Sequence, residues 1–165
     1  MRKKLPLFLT AAALVVVDQI TKVLTRAFIP LGETRTLVPH VVGLTYVQNT
    51  GAAFSSFSGG TKLLALLSLV ITVLIGFAIA KDWLRHPCAQ WSMAVVMAGA
   101  FGNFIDRAFI GYVTDMVDTL FMNFAVYNFA DICVVLGILA LAIYIIFFYE
   151  KCEGKKAHGH SDDQG

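Results

Sequence analysis

Residues 126–149 read VYNFADICVVLGILALAIYIIFFY, an apolar run that carries a single charged residue, Asp131. A membrane span needs about 20 predominantly apolar residues, and this run has that length. A carboxylate inside such a run costs roughly 2.5–3.5 kcal/mol on insertion scales and survives only where it faces protein, water or a partner. The stretch therefore implies a membrane protein, and it asks for a function of Asp131, beside the alternative of a helix-facing aspartate satisfied by Asn128 or a backbone group.

Working outward, Leu5–Leu24 and Leu63–Ala80 are runs of the same kind, while Trp91–Ile110 reaches spanning length only by including Asp106 and Arg107. Four transmembrane helices in a single domain over residues 1–165 are expected, an all-α membrane protein with a small outer β segment at about residues 31–57. The 58% hydrophobic content and mean hydropathy of +0.73 lie above the roughly 45–50% apolar usage of soluble domains. Arg2, Lys3, Lys4, Lys81, Arg85, Lys151, Lys155 and Lys156 fall at the termini and the middle loop, against Arg26, Arg35, Lys62 and Arg107 on the other side. The positive-inside rule then puts both termini in the cytoplasm. A net charge of +2 gives no argument for a nucleic-acid partner.

The start, Met1-Arg2-Lys3-Lys4 before an apolar stretch, also has the form of a secretory signal peptide. The apolar run continues past Val17 to Leu24 with no small-residue cleavage site at its far end, so an uncleaved first span is expected. Cys88, Cys133 and Cys152 are odd in number and widely spaced, which suggests neither a disulfide framework nor a metal-binding pair.

Between the first two spans, Val41–Gln48 is β-branched and aromatic and is bounded by Pro39 and the Asn49-Thr50-Gly51 turn signal, a strand candidate. Residues 52–57 are apolar enough to lie in the membrane interface. Gly111–Ala125 forms the second outer segment and carries Asp115 and Asp118. Residues 150–165 read as a disordered cytoplasmic tail, in which His158-Gly159-His160 is at most a weak metal site.

Asn103, Asp106, Arg107, Asp115, Asp118 and Asn128 form, with Asp131, a polar cluster unexpected from composition. Asp18 and Lys22 are four apart and share a helix face, either as a self-neutralising pair or with Lys22 reaching toward another carboxylate or a substrate backbone. Asp106 and Arg107 read either as a terminal ion pair or with the Arg107 fork free to bridge a carboxylate or carbonyl. Asp131, five residues beyond Val126, is expected roughly 7–8 Å below the start of its span. A second carboxylate beside it would make the pair share a proton, leaving one as base and the other as acid, as activation of water for peptide hydrolysis requires. The residues alone do not choose among Asp106, Asp115 and Asp118 as that partner.

Absences narrow the class. No histidine lies in any span, so neither a Ser/His pair nor an HExxH zinc site is supported there, and no glycine-rich phosphate loop occurs. Gly99–Gly102 reads as a place of close helix packing. Cys133 has no base to make it a nucleophile.

The stretches Asp18-Gln19-Ile20-Thr21-Lys22, Gln48-Asn49-Thr50-Gly51-Ala52-Ala53-Phe54, Gly102-Asn103-Phe104-Ile105-Asp106-Arg107, Val113-Thr114-Asp115 and Asn128-Phe129-Ala130-Asp131 together resemble the bacterial lipoprotein signal peptidases, signal peptidase II. The resemblance implies four transmembrane helices with an outer β-cradle. It implies an aspartic endopeptidase that removes signal peptides from diacylglyceryl-modified prolipoproteins, cutting before the lipidated cysteine, in the bacterial cytoplasmic membrane. It implies Asp115 and Asp131 as the catalytic pair, and Asn49, Gly51, Asn103, Arg107, Asn128, Asp18, Lys22 and Asp106 as positioning residues. No metal or organic cofactor is implied, and a monomer in contact with membrane lipid is expected. Thr114 departs from the pattern where a second valine is common, and Thr50 where tyrosine or arginine is often found.

Two rival classes are weighed beside it. A proton-coupled transporter subunit needs a carboxylate relay across the membrane, whereas Asp106, Asp115, Asp118 and Asp131 gather toward one face. A non-catalytic assembly protein would use the cluster for partner binding and leave no uncut precursor when it is mutated.

Overall fold

A computed structural model describes residues 4–51 and 60–150. Four helices, α1 (Leu5–Phe28), α2 (Thr61–Ala80), α3 (Pro87–Phe109) and α4 (Phe129–Phe147), are each long and apolar enough to cross a membrane. A three-stranded antiparallel sheet, β1 (Thr34–Val38), β2 (Val42–Asn49) and β3 (Val113–Thr119) in that order, stands at one end of them.

Helix α3 is the hub of the bundle. It packs on α1, α2 and α4, and 61% of its apolar window is buried, against 17–22% for the other three. Its sequence explains this: Ala94, Ala98, Gly99 and Gly102 leave a surface that neighbouring backbones can approach. A β-carbon at Gly99 would run into the Ala130 carbonyl and come within 2.7 Å of Val134, and one at Gly102 would lie 2.5 Å from the Asp18 carboxylate. Away from the sheet the packing is apolar, with Leu7, Ala11, Ala78, Ile79, Met93 and Met97 forming the core. Lys4 pairs with Asp82 at that end, and the rings of His86 and Tyr144 stack at 5.0 Å. The outward faces of α1, α2 and α4 stay apolar and exposed, as at Leu9, Leu63 and Ile146, which suits a lipid solvent.

Helix α1 runs on from the expected Leu24 to Phe28, and three further features differ from the expectation. Helix α3 begins at Pro87 rather than Trp91, because proline is pre-organised for the first helical position and the His86 side chain accepts the Cys88 N–H. Helix α4 begins at Phe129 rather than Val126, because Tyr127 is held by backbone bonds with Val117 and Asn128 is the N-cap. Asp131 therefore lies in the first turn of its helix, not 7–8 Å below the start. The third difference is β3, a strand in what the sequence suggested was an outer loop.

Strand β3 is reached through a sharp turn at Gly111, whose φ of +81° an L side chain rarely adopts. It then pairs with β2 in the register Asn49↔Val113, Val47↔Asp115 and Val42↔Thr119, broken by a bulge between Leu44 and Val47. The strand predicted at residues 41–48 is β2, and β1 completes a hairpin with it. Residues 52–57 and the tail beyond Glu150, with its His158-Gly159-His160, lie outside the described residues.

Candidate active site

The end of the bundle nearest the sheet holds a buried polar network built from all three motif-bearing helices. Lys22 of α1 is fully buried. Its Nζ lies 3.0 Å from Asp18 Oδ2 and 3.4 Å from Asp106 Oδ2, and it donates to Asn103 Oδ1 at 2.9 Å. A buried cation is tolerable only when paired and fully hydrogen-bonded, and here two carboxylates and an amide do this. The two readings of Asp18 and Lys22 are thus both realised: they pair, and Lys22 also reaches beyond Asp18 to α3.

Lys22 fixes which way Asn103 points. Its ammonium takes the amide oxygen, so Asn103 Nδ2 faces Asp131 and donates to Oδ1 at 2.8 Å. Asp18 meanwhile accepts the Ala130 N–H at 3.0 Å, one of the free amides at the start of α4. Gln19 donates to Asp18 at 3.0 Å and to the Gly102 carbonyl at 3.1 Å. The face of α1 that was legible as charged therefore fixes the position of the α4 N-terminus.

Asn128 joins the two central carboxylates. Its Oδ1 accepts the Asp131 N–H at 3.0 Å and its own N–H donates to Asp131 Oδ2 at 3.1 Å, a reciprocal capping box. Its Nδ2 then donates to Asp115 Oδ1 at 2.6 Å. The other oxygen of Asp115 accepts from Asn49 Nδ2 at 2.9 Å, and Asn49 Oδ1 is held by the Gly51 N–H at 2.9 Å. Burial pushes the Asp115 carboxyl from its ordinary 3.8 up to about 6, with the nearby charge of Asp131 adding to the rise and the two amides opposing it.

Asp106 and Arg107 do not pair with each other. Successive helical side chains diverge by about 100°, so Asp106 turns to Lys22 and the Thr114 N–H while Arg107 turns to the other side. Arg107 donates to the Gly51 carbonyl at 3.2 Å, and its buried Nε has no partner among the described residues. Arg107, Asp115, Asp131, Asn49 and Asn103 line one cavity of about 620 Å³, whose remaining wall is mostly apolar, including Ile71, Val96 and Val135, with Ser68 and Tyr127 as its other polar residues. The cavity thus offers two carboxylates, two amides and a guanidinium in a mostly apolar lining.

The ten residues that the family resemblance implied thus fall in one connected region. Asp118 does not join it: it pairs with Gly43 on the half-exposed part of β3. The sequence reading missed Gln19, Arg26 and Thr114 as members of the network. Arg26 repeats the Asp18 and Lys22 spacing on α1, a signal that was present but read only as topological charge.

The family described as Signal peptidase (SPase) II matches residues 10–147. The chain is 40% identical over 139 residues to the lipoprotein signal peptidase of Enterococcus faecalis, covering 84% of this chain and 86% of that one. It is 43% identical over 145 residues to that of Trichormus variabilis, covering 87% and 91%. A solved structure described as a bacterial membrane enzyme, determined by the in meso method at 2.3 Å resolution, superposes with a TM-score of 0.79 at 28% identity, covering 89% of this chain and 90% of that one. The fold is therefore that of a multi-pass protein of a bacterial membrane. Matched over most of its length, the chain belongs to the signal peptidase II family, aspartic peptidases that cleave the signal peptides of prolipoproteins.

Proposed function

We propose that Asp115 and Asp131 are the catalytic pair and that cleavage falls N-terminal to a diacylglyceryl-modified cysteine. The observation that carries this reading is Asn128, one residue bonded to both carboxyls, which line the same cavity. In this mechanism water lies between the pair. Asp131 removes its proton as oxygen attacks the scissile carbonyl, and Asp115, the carboxyl that holds a proton up to about pH 6, donates it to the carbonyl oxygen. The tetrahedral diol then collapses: Asp131 gives its proton to the leaving amine and the diol returns one to Asp115.

Asn103 and Asn128 hold Asp131, and Asn49, fixed by Gly51, holds Asp115. Behind them Lys22 bridges Asp18 and Asp106. Arg107, whose Nε–H has no partner among the described residues, donates to a substrate carbonyl beside the scissile bond. Such positioning can supply several kcal/mol of barrier lowering. The basic-residue distribution supports cytoplasmic termini and a site near the extracytoplasmic face of the cytoplasmic membrane. The substrate enters sideways, its acyl chains remaining in membrane lipid, and the chain works as a monomer.

The test is purified protein in detergent with a lipid-modified precursor and its unmodified twin. Only the modified precursor should be cut, and Asp115→Asn and Asp131→Asn should each leave it uncut while still inserting normally. Full activity in either variant would reject the pair.

A further inference from the structure

Helix α1 reaches Asp131 through Lys22 and Asn103; its next turn reaches the strand that bears Asp115. Arg26 Nη1 donates to Thr114 Oγ1 at 2.7 Å, and Thr114 is fully buried. One residue earlier, the Thr25 hydroxyl lies 3.5 Å from Met116 Sδ. Side chains alternate along a strand, so Thr114 and Met116 face α1 while Asp115 between them faces Asn49 and Asn128. The outer turn of α1 thus grips both neighbours of Asp115 from behind.

The grip is tied to the buried network. Asp106 Oδ2 accepts the Thr114 N–H at 2.9 Å, and Asp106 Oδ1 lies 4.0 Å from Arg26. Thr114 is therefore held at backbone and side chain by two groups of opposite charge, one on α3 and one on α1. Valine, common at this position in the family pattern, has the same shape and no hydroxyl for Arg26. In this chain the Arg26 side chain, three-quarters covered, has an acceptor that such a valine would remove.

We propose that Arg26 is a positioning residue for the peptidase reaction, acting through the Thr114 hydroxyl to hold β3 where it presents Asp115. The proposal rests on the reading of Asp115 as catalytic. Arg26 touches neither Asp115 nor Asp131 and does not line the cavity, so its effect falls on the geometry of the reacting pair and not on substrate affinity. Small misplacements of a reacting group are costly in rate, and a shared contact makes losses non-additive.

The experiment measures kcat and KM on a lipid-modified precursor for Arg26→Met, Thr114→Val, the double variant and Thr114→Ser, each normalised to inserted, monodisperse protein. Arg26→Met and Thr114→Val should each lower kcat five- to twentyfold with KM within twofold. The double variant should be no slower than the slower single, and Thr114→Ser, which keeps the hydroxyl, should stay within threefold of the parent. Unchanged kcat in either single variant, multiplicative losses in the double, a change confined to KM, or Thr114→Ser as slow as Thr114→Val would each overturn the proposal. Asp115→Asn run alongside separates the two readings: if it is active the catalytic assignment fails, whereas if it is inactive beside fully active Arg26 and Thr114 variants only the positioning role fails.

Discussion

Asp115 is 2% exposed, yet it is held by two neutral amides and pairs with no cation among the described residues. This sets its proton affinity. Burial favours the neutral acid, and with the carboxyl pushed up to about 6, the protonated form that the proposed mechanism uses as acid prevails below that pH and is lost above it. In the free enzyme, kcat/KM should therefore fall about tenfold per pH unit on an alkaline limb beginning near 6, and a pH–rate profile on a lipid-modified precursor checks this. A profile flat from pH 5 to 8 would contradict the role of Asp115 as acid. The same raised value opposes folding at higher pH: stability from the protonated carboxyl is complete below about 3.8 and is lost as pH rises through about 6. Lys22 is the contrasting case, a buried cation made tolerable by Asp18, Asp106 and Asn103, whose charge orients the amide that meets Asp131.

At the scale of elements, the distance between α3 and α4 is set by Gly99 and Gly137, where a β-carbon would meet Ala130 and Val134, or Val96. Because the Ala130 carbonyl is backbone in the first turn of α4, one residue before Asp131, it cannot yield without moving that aspartate. Gly99→Ala should cost about 1–3 kcal/mol of stability, the usual penalty for overpacking, and should lower kcat more than it raises KM. Thermal unfolding in detergent and steady-state kinetics measure the two effects, and an unperturbed kcat would show that α4 shifts without disturbing Asp131. The N-terminus of α4 is fixed on two sides, by the Asn128 capping box and by Asp18, which explains how an exposed, lipid-facing helix can hold a side chain precisely. The capping signature Asn128-x-x-Asp131 is visible in the sequence, and an Asp131 satisfied by Asn128 is one reading of it, which the capping box realises. The apolar run nevertheless extends back to Val126, so hydropathy puts the helix start three residues too early.

Across the whole molecule, the polar network lies at one end of the bundle and the apolar core at the other, and the orientation proposed above has a direct test. With Cys133 and Cys152 replaced by serine, exposed Cys88 should react in intact spheroplasts only with a membrane-permeant maleimide. Glu33→Cys, placed beside β1, should react with an impermeant one; the reverse pattern would invert the topology. Hydropathy alone determined the number of helices, because each must present an apolar surface to lipid over about 30 Å whatever its neighbours do. The motif residues determined the family and the members of the buried polar network, since few residue types can be buried charged or amidic at those spacings. Strand β3 escaped because its identity depends on pairing with β2 across more than sixty residues of chain, and the hydrogen bonds that define it are made with a remote partner. The choice of Asp115 over Asp106 or Asp118 as the carboxyl beside Asp131 followed, bottom-up, only from the tertiary structure. Alternation along β3 turns residue 115 toward Asn49 and Asn128, while Asp106 is consumed by Lys22 and the Thr114 amide. Periodicity gives each residue a face, but which faces meet is decided by how the helices and the sheet pack.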